Sequence, residues 1–173
     1  MIFLQEVFFL PLTLTQHPCG LLVEGVTDFS LPQILDCGQC FTFSPIPASD
    51  CMDGILETWK GFALNHPLTI SQLENGTLLF HNTTPEVFSS FWEHYFDLKT
   101  DYDTYIRAID PMDDYLSRAA AFGSGIRILN QDLWEMIITF IISQQKTIPA
   151  IRALVEALSE KYGTRYKIPP TVS

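Results

Sequence analysis

The sequence is short of positive charge. Its 173 residues hold 10 Lys and Arg against 20 Asp and Glu, a formal net charge of −10. That excludes a surface that grips nucleic acid indiscriminately. Long apolar runs are missing as well. The stretch 137–142 is interrupted by Thr139, and the N-terminal stretch breaks at Gln5, Glu6 and Pro11. Neither approaches the ~20 residues of a membrane-spanning helix, so no membrane partner is expected. The first 14 residues lack a basic leader and carry Glu6 among their apolar side chains. They read as an edge strand or arm packed on the domain rather than a secretion signal.

Cysteine is scarce and confined to the first third, at Cys19, Cys37, Cys40 and Cys51. Without a secretion signal these are expected to be reduced thiols. Cys37-Gly38-Gln39-Cys40 is a CxxC with no second CxxC to complete a zinc site. The four histidines, His17, His66, His81 and His94, show no ligand spacing. No metal and no cofactor are expected, and a redox pair is the lesser alternative to a tight turn ahead of a strand. In that turn Gly38 would let a ligand approach bare backbone.

What is present is a globular composition, 47% apolar and 17% charged, in a length that buries a real core. The charge is uneven. Residues 1–100 hold 11 acidic and 2 basic side chains, whereas residues 139–173 hold 2 acidic and 5 basic ones. A mildly basic end sits on an acidic body.

The first 82 residues read as β. Strand patterns cover 20–29, 40–44, 55–64, 68–73 and 77–81, and Asn75-Gly76 signals a hairpin of type I′. The expectation is a twisted antiparallel sheet of four to six strands. One short helix at 30–35 would carry Ser30 as its cap and Pro32 in its first turn. At Thr84-Pro85-Glu86 the period becomes helical, with apolar residues spaced along 87–96. Further helices fit 101–109 and 111–122, followed by an extended piece at 126–129. Asp113 and Asp114 read as partners of a first-turn dipole. Asp132 caps a helix over 133–142 that is apolar nearly all round and so should be buried. Ser143-Gln144-Gln145-Lys146-Thr147 then breaks the pattern. Thr147 is placed to cap a last helix whose apolar face is Ile148, Ile151, Leu154, Val155 and Leu158, ending at Gly163. The polar break is either a plain interhelix loop or a tip that presents amides, a Lys and a helix N-terminus to an anion such as phosphate. The fold class is α+β.

These residues resemble a known family. The segment Leu31-Pro-Gln-Ile-Leu-Asp-Cys-Gly-Gln-Cys-Phe41 looks like the Gly-Gln-Cys/Ser-Phe element of the 8-oxoguanine DNA glycosylases. Tyr95-Phe96-Asp97-Leu98 with Asp101-Tyr102 resembles its next signature. Gly125-Ile-Arg-Ile-Leu-Asn-Gln-Asp132 with Trp134-Glu-Met and Phe140-Ile-Ile-Ser-Gln-Gln-Lys-Thr-Ile-Pro149 resembles the third, and Glu160-Lys-Tyr-Gly163 the last. The set runs in family order over about residues 20–163 and is most similar to bacterial members described as DNA-3-methyladenine glycosylase-like.

The resemblance implies a sheet domain similar to one TATA-binding-protein repeat at 1–100, with its helix at about 85–97. The start of a helical domain follows at 101–173, cut before a helix-hairpin-helix. It implies base-excision repair of double-stranded damaged DNA, with an oxidised purine flipped into a pocket. Gly38 matches the glycine whose carbonyl accepts a hydrogen bond from N7–H of the oxidised base. Gln145 matches an Asn that fills the gap in the duplex, and Gln144, Lys146 and Thr147 belong to the same DNA-contacting loop. Ala150 stands where some members carry an Arg that reads the orphaned cytosine, and Thr42 and Phe43 replace a usual Arg-Trp pair. The family's chemistry needs a Lys that forms a Schiff base and an Asp that assists it. Lys60, Lys99, Lys146, Lys161 and Lys167 do not lie in that context. No catalytic residue is therefore expected in this chain, which reads as a catalytically incomplete N-terminal part, a monomer in a bacterial cytoplasm. The alternative is a non-catalytic interaction module that docks a partner through exposed apolar residues; the missing half of the helical domain would leave Ile137, Ile141 and Leu154 partly uncovered.

Overall fold

The computed structural model describes residues 11–48 and 51–164. Most of the N-terminal arm and the Pro169-Pro170 end lie outside them. Six strands form one antiparallel sheet: β1 (Thr13–His17), β2 (Gly20–Glu24), β3 (Ser44–Ile46), β4 (Ile55–Ala63), β5 (His66–Leu73) and β6 (Leu78–His81). Their order across the sheet is β1-β2-β6-β5-β4-β3. The long β4–β5 pair runs in register from Glu57 opposite Gln72 to Ala63 opposite His66.

Local chemistry shifts several of the expected elements. The β5–β6 turn is not type I′. Gly76 takes φ +82° while Asn75 stays at negative φ, and the bonds Gly76 N–H to Leu73 O and Leu73 N–H to Thr77 O are both 2.9 Å. This is a three-residue loop with Gly in the left-handed position, the next most favoured hairpin after the two-residue one. The strand expected at 40–44 lies at Ser44–Ile46. Cys40 and Phe43 turn into the core instead, and Pro45 sits on the edge strand, where its missing N–H costs little. The strand expected at 20–29 ends at Glu24. Residues 126–129, expected as an extended piece, lie in neither helix nor strand, and the buried Arg127 ties them to other loops.

The helices are α1 (Leu31–Leu35), α2 (85–95, containing a π turn at Phe88–Trp92), α3 (Tyr102–Arg107), α4 (Asp114–Phe122), α5 (Leu133–Ser143) and α6 (Ile148–Tyr162). Caps are the most local signals, and most of them form. Thr84 accepts from Val87 N–H, Asp113 from Leu116 N–H at 2.9 Å, and Asp132 from Glu135 N–H at 3.0 Å. Asp113 is thus the N-cap of α4 and not merely a dipole partner. Ser30 and Thr147 occupy cap positions with no side-chain bond.

The core lies between one face of the sheet and α1–α2. Leu21, Val23, Ile70 and Phe80 meet Leu31, Ile34, Phe88, Trp92 and Phe96 there. Phe80 packs edge-on against Phe88 and Phe96, with centroids at 5.0 and 5.9 Å, the geometry the ring quadrupoles favour. α5 departs from expectation. None of its side chains is fully buried, and Leu133, Trp134 and Phe140 are 71%, 69% and 68% exposed. Its main packing partner is α6, with Glu135 also accepting from Leu64 N–H at 3.5 Å, and much of its apolar surface faces solvent. Ile137, Ile141 and Leu154 are indeed partly uncovered, whereas Ile151 and Val155 are buried.

Candidate functional site

The chain leaves α1 through the exposed turn Asp36-Cys37-Gly38 and re-enters the core at Cys40. Gly38 has φ +90°, and a Cβ built there would meet nothing within 4 Å. Glycine is required by conformation while the space in front stays open. The next residue is tied down completely. Gln39 donates from Nε2 to Arg127 O at 2.8 Å and to Cys37 Sγ at 3.2 Å, and its Oε1 accepts from Leu129 N–H at 3.0 Å. Its backbone carbonyl accepts from Gln131 Nε2 at 2.7 Å.

The two cysteines of the CxxC lie in different environments. Cys37 is exposed and Cys40 buried, with no disulfide between them. Burial pushes the Cys40 thiol up to about 12, with Cys37 adding to the shift, so Cys40 itself is not an attacking thiolate near neutral pH. No three His, Cys, Asp or Glu side chains among the described residues are placed to hold a metal ion.

The second candidate group is the α5–α6 connection. Gln144 has φ −57° and ψ 118°, Gln145 has φ +57°, and Lys146 N–H reaches Ser143 O at 3.2 Å. This is a type II turn with Gln145 at the position that demands positive φ. Gln144, Gln145, Lys146 and Thr147 are all exposed. Because Thr147 makes no side-chain cap, its hydroxyl is not committed to its own helix. The first turn of α6 offers the N–H groups of Ile148 and Ala150, while Pro149 offers none.

Nothing brings Gly38 into direct contact with the 144–147 turn. Arg152 links the two groups through the frame. From α6 it pairs with Asp36 at 2.6 Å and donates to Phe43 O at 3.1 Å. The loop that carries Gly38 is thus fastened to the helix that carries the turn. Thr42 and Phe43 are fixed against β4, with Thr42 Oγ1 donating to Phe62 O at 2.7 Å. A Cβ at Gly61 would collide with Thr42 O at 2.4 Å. A cleft of about 730 Å³ opens between this edge and α6, lined by Phe41, Phe62, Leu64, Arg152 and Glu156 among others. Burial pushes the Glu135 carboxyl above its usual range.

Sequence reasoning missed Arg127. It is 2% exposed and donates to four carbonyls. These are Asp28 O at 3.1 Å, Asp97 O at 2.7 Å, Thr100 O at 3.1 Å and Thr27 O at 2.6 Å. Tyr102 lies over its guanidinium, 4.6 Å from ring centre to Cζ. Its signal was an Arg inside the apolar run 126–129, a residue type rarely buried without partners.

The profile described as 8-oxoguanine DNA glycosylase, N-terminal domain, matches residues 21–137. Among solved structures, MBOgg1 in complex with a low-affinity DNA ligand superposes with a TM-score of 0.81 at 31% identity, over 93% of this chain and 52% of that one. The Clostridium acetobutylicum 8-oxoguanine glycosylase/lyase with double-stranded DNA containing cytosine opposite 8-oxoG gives 0.80 at 29%, over 93% and 51%. Its apo form gives 0.77 at 30%, over 93% and 52%. The chain spans about half the length of these structures. A search of curated proteins found no match.

Proposed function

The chain belongs to the 8-oxoguanine DNA glycosylase family, and from that premise we propose that it serves base-excision repair as the part that reads a flipped 8-oxoguanine. The substrate is double-stranded DNA with the lesion opposite cytosine. One observation carries the reading: Gly38 sits at φ +90° with open space before it, on a loop fastened from both sides. Its carbonyl accepts the N7–H that 8-oxoguanine has and guanine lacks. Gln145, lifted by the type II turn, fills the gap left by the flipped base. Gln144, Lys146 and Thr147 contact the neighbouring backbone, together with the N-terminus of α6.

Excision needs an amine that attacks the sugar C1′. Lys60 lies on β4, Lys99 pairs with Glu93 at 2.8 Å, and Lys161 lies 5.1 Å from the Tyr162 ring centre. Lys146 belongs to the wedge turn, and Lys167 is outside the described residues. In our reading none of them attacks, and the Schiff-base Lys and its Asp belong to the half that this chain does not span. In the same reading the boundary between a sheet unit, 1–100, and a helical unit, 101–173, falls at about residue 100, and the protein acts as a monomer in a bacterial cytoplasm. No helix among the described residues is long and apolar enough to cross a membrane.

Titration by fluorescence anisotropy against matched duplexes tests the reading. The wild type is expected to prefer 8-oxoG:C over G:C, and Gly38→Ala to lose that preference. Equal affinity of the wild type for both duplexes overturns it. The exposed apolar surface of α5 favours a second reading, a module that docks a protein partner. Stable complex formation through α5 with no lesion preference selects that alternative.

A further inference from the structure

We propose that Gln39 is a positioning residue that holds the Gly38–Gln39 peptide in one orientation, so that lesion discrimination depends on Gln39 as well as on Gly38. The inference rests on the reading of Gly38 above and deepens it. A glycine at φ +90° sits in a peptide that can flip with little steric penalty. A flip would exchange the carbonyl for the following N–H and turn an acceptor of N7–H into a donor. Guanine N7 is itself an acceptor, so a flipped peptide would favour the undamaged base.

The structure blocks that flip at Gln39. Three of its four side-chain hydrogen-bond positions are occupied, both Nε2 hydrogens by Arg127 O and Cys37 Sγ and one Oε1 lone pair by Leu129 N–H. The pairing also fixes which end of the amide is oxygen, because Leu129 presents a donor and Arg127 an acceptor. The main-chain carbonyl of Gln39 is held separately by Gln131 Nε2. A flip would carry φ of Gln39, which is not positive in the structure, into the region that L residues rarely adopt, and with side chain and carbonyl both tied Gln39 cannot shift as a whole to relieve that strain. The anchor is itself rigid. Segment 127–131 is fixed by buried Arg127 at one end, by Asn130 N–H bonded to Tyr95 O at 2.9 Å, and by the Asp132 cap of α5 at the other. Cys37 is restrained as well, its thiol donating to Ile34 O at 3.2 Å.

The test compares wild type, Gln39→Ala, Gln39→Glu and Gln131→Ala for binding to 8-oxoG:C and G:C duplexes, with thermal melting in parallel. Gln39→Glu keeps the acceptor for Leu129 and loses both donors. The ratio of the two affinities is expected to fall about fivefold in Gln39→Ala, the worth of one ordinary hydrogen bond, and at least as much in Gln39→Glu, whose second oxygen would face Arg127 O with no hydrogen between them. Gln131→Ala should lower it too while leaving the Gln39 side chain in place. Amide exchange at residue 39, whose N–H belongs to the Gly38–Gln39 peptide, and at Leu129 should quicken in Gln39→Ala. A merely structural role would lower the melting point and leave the affinity ratio and the residue 39 amide as they are. If the wild type discriminates and folded Gln39 variants discriminate equally, the positioning role is overturned while the reading of Gly38 stands. If the wild type does not discriminate, both fall together.

Discussion

Replacing Arg127 with Met is the sharpest test of how the two parts of the chain are joined. Met keeps the apolar stem and removes the guanidinium, so packing changes little and four carbonyls lose their donor. Thr27 and Asp28 lie before α1, whereas Asp97 and Thr100 follow α2. The side chain therefore ties three separate stretches of chain together. Hydrogen bonds of ordinary net strength contribute about 1 kcal/mol each, and four of them give about 4 kcal/mol. That agrees with the roughly 3–5 kcal/mol cost of removing one side of a buried charged interaction. Against a typical total of about 5–15 kcal/mol, the loss is a large share of the stability. At a urea slope of about 2 kcal/mol per molar, the unfolding midpoint should drop by about 2 M. Arg127→Lys keeps the charge, but three donors on one nitrogen cannot span the fork, so most of the loss should persist. Far-UV circular dichroism across a urea series reads both variants. A Met variant whose midpoint lies within about 0.5 M of wild type at unchanged slope would refute the reasoning.

Gln145→Asn should stabilise the fold by up to about 1 kcal/mol, because Asn tolerates positive φ and Gln does not, raising the melting temperature by about 2–4 °C; calorimetry showing no rise counts against the turn. Gly125→Ala would place a Cβ 2.4 Å from Ser30 Cβ and should cost about 1–3 kcal/mol. Ser30→Gly in the same chain should recover most of that loss in a double-mutant cycle, and no recovery would show that the collision lies elsewhere. His81 is buried, with Nε2 2.8 Å from Ser71 Oγ and no partner on Nδ1. Desolvation holds its pKa below the ordinary 6.5, so between the two values the unfolded chain binds more protons than the folded one. Stability should therefore be full above about pH 6.5 and fall as pH drops below it. Urea midpoints from pH 7.5 to 5.5 should show the decline, and His81→Leu should flatten it. Glu135, raised by burial, works in the opposite sense at more acidic pH and remains in both proteins.

By itself the sequence determined what is local. Alternation and turn residues placed most of the long strands, and Thr84, Asp132 and Gly76 marked their helix starts and turn because each satisfies backbone groups within a few residues. The ordered motifs determined the family, and with it the expectation that Gly38 and the 144–147 turn matter. Tertiary structure decided whatever depends on distant partners. The π turn at Phe88–Trp92 and the edge register of Ser44–Ile46 follow from how aromatic side chains share one core. Arg127 looked like a stray charge until four carbonyls from two other stretches of chain converged on it. α5 reads as buried because its period is apolar all round, yet with α6 as its main packing partner it stays largely exposed; a sequence states how much apolar surface an element has, and only the fold decides what lies against it.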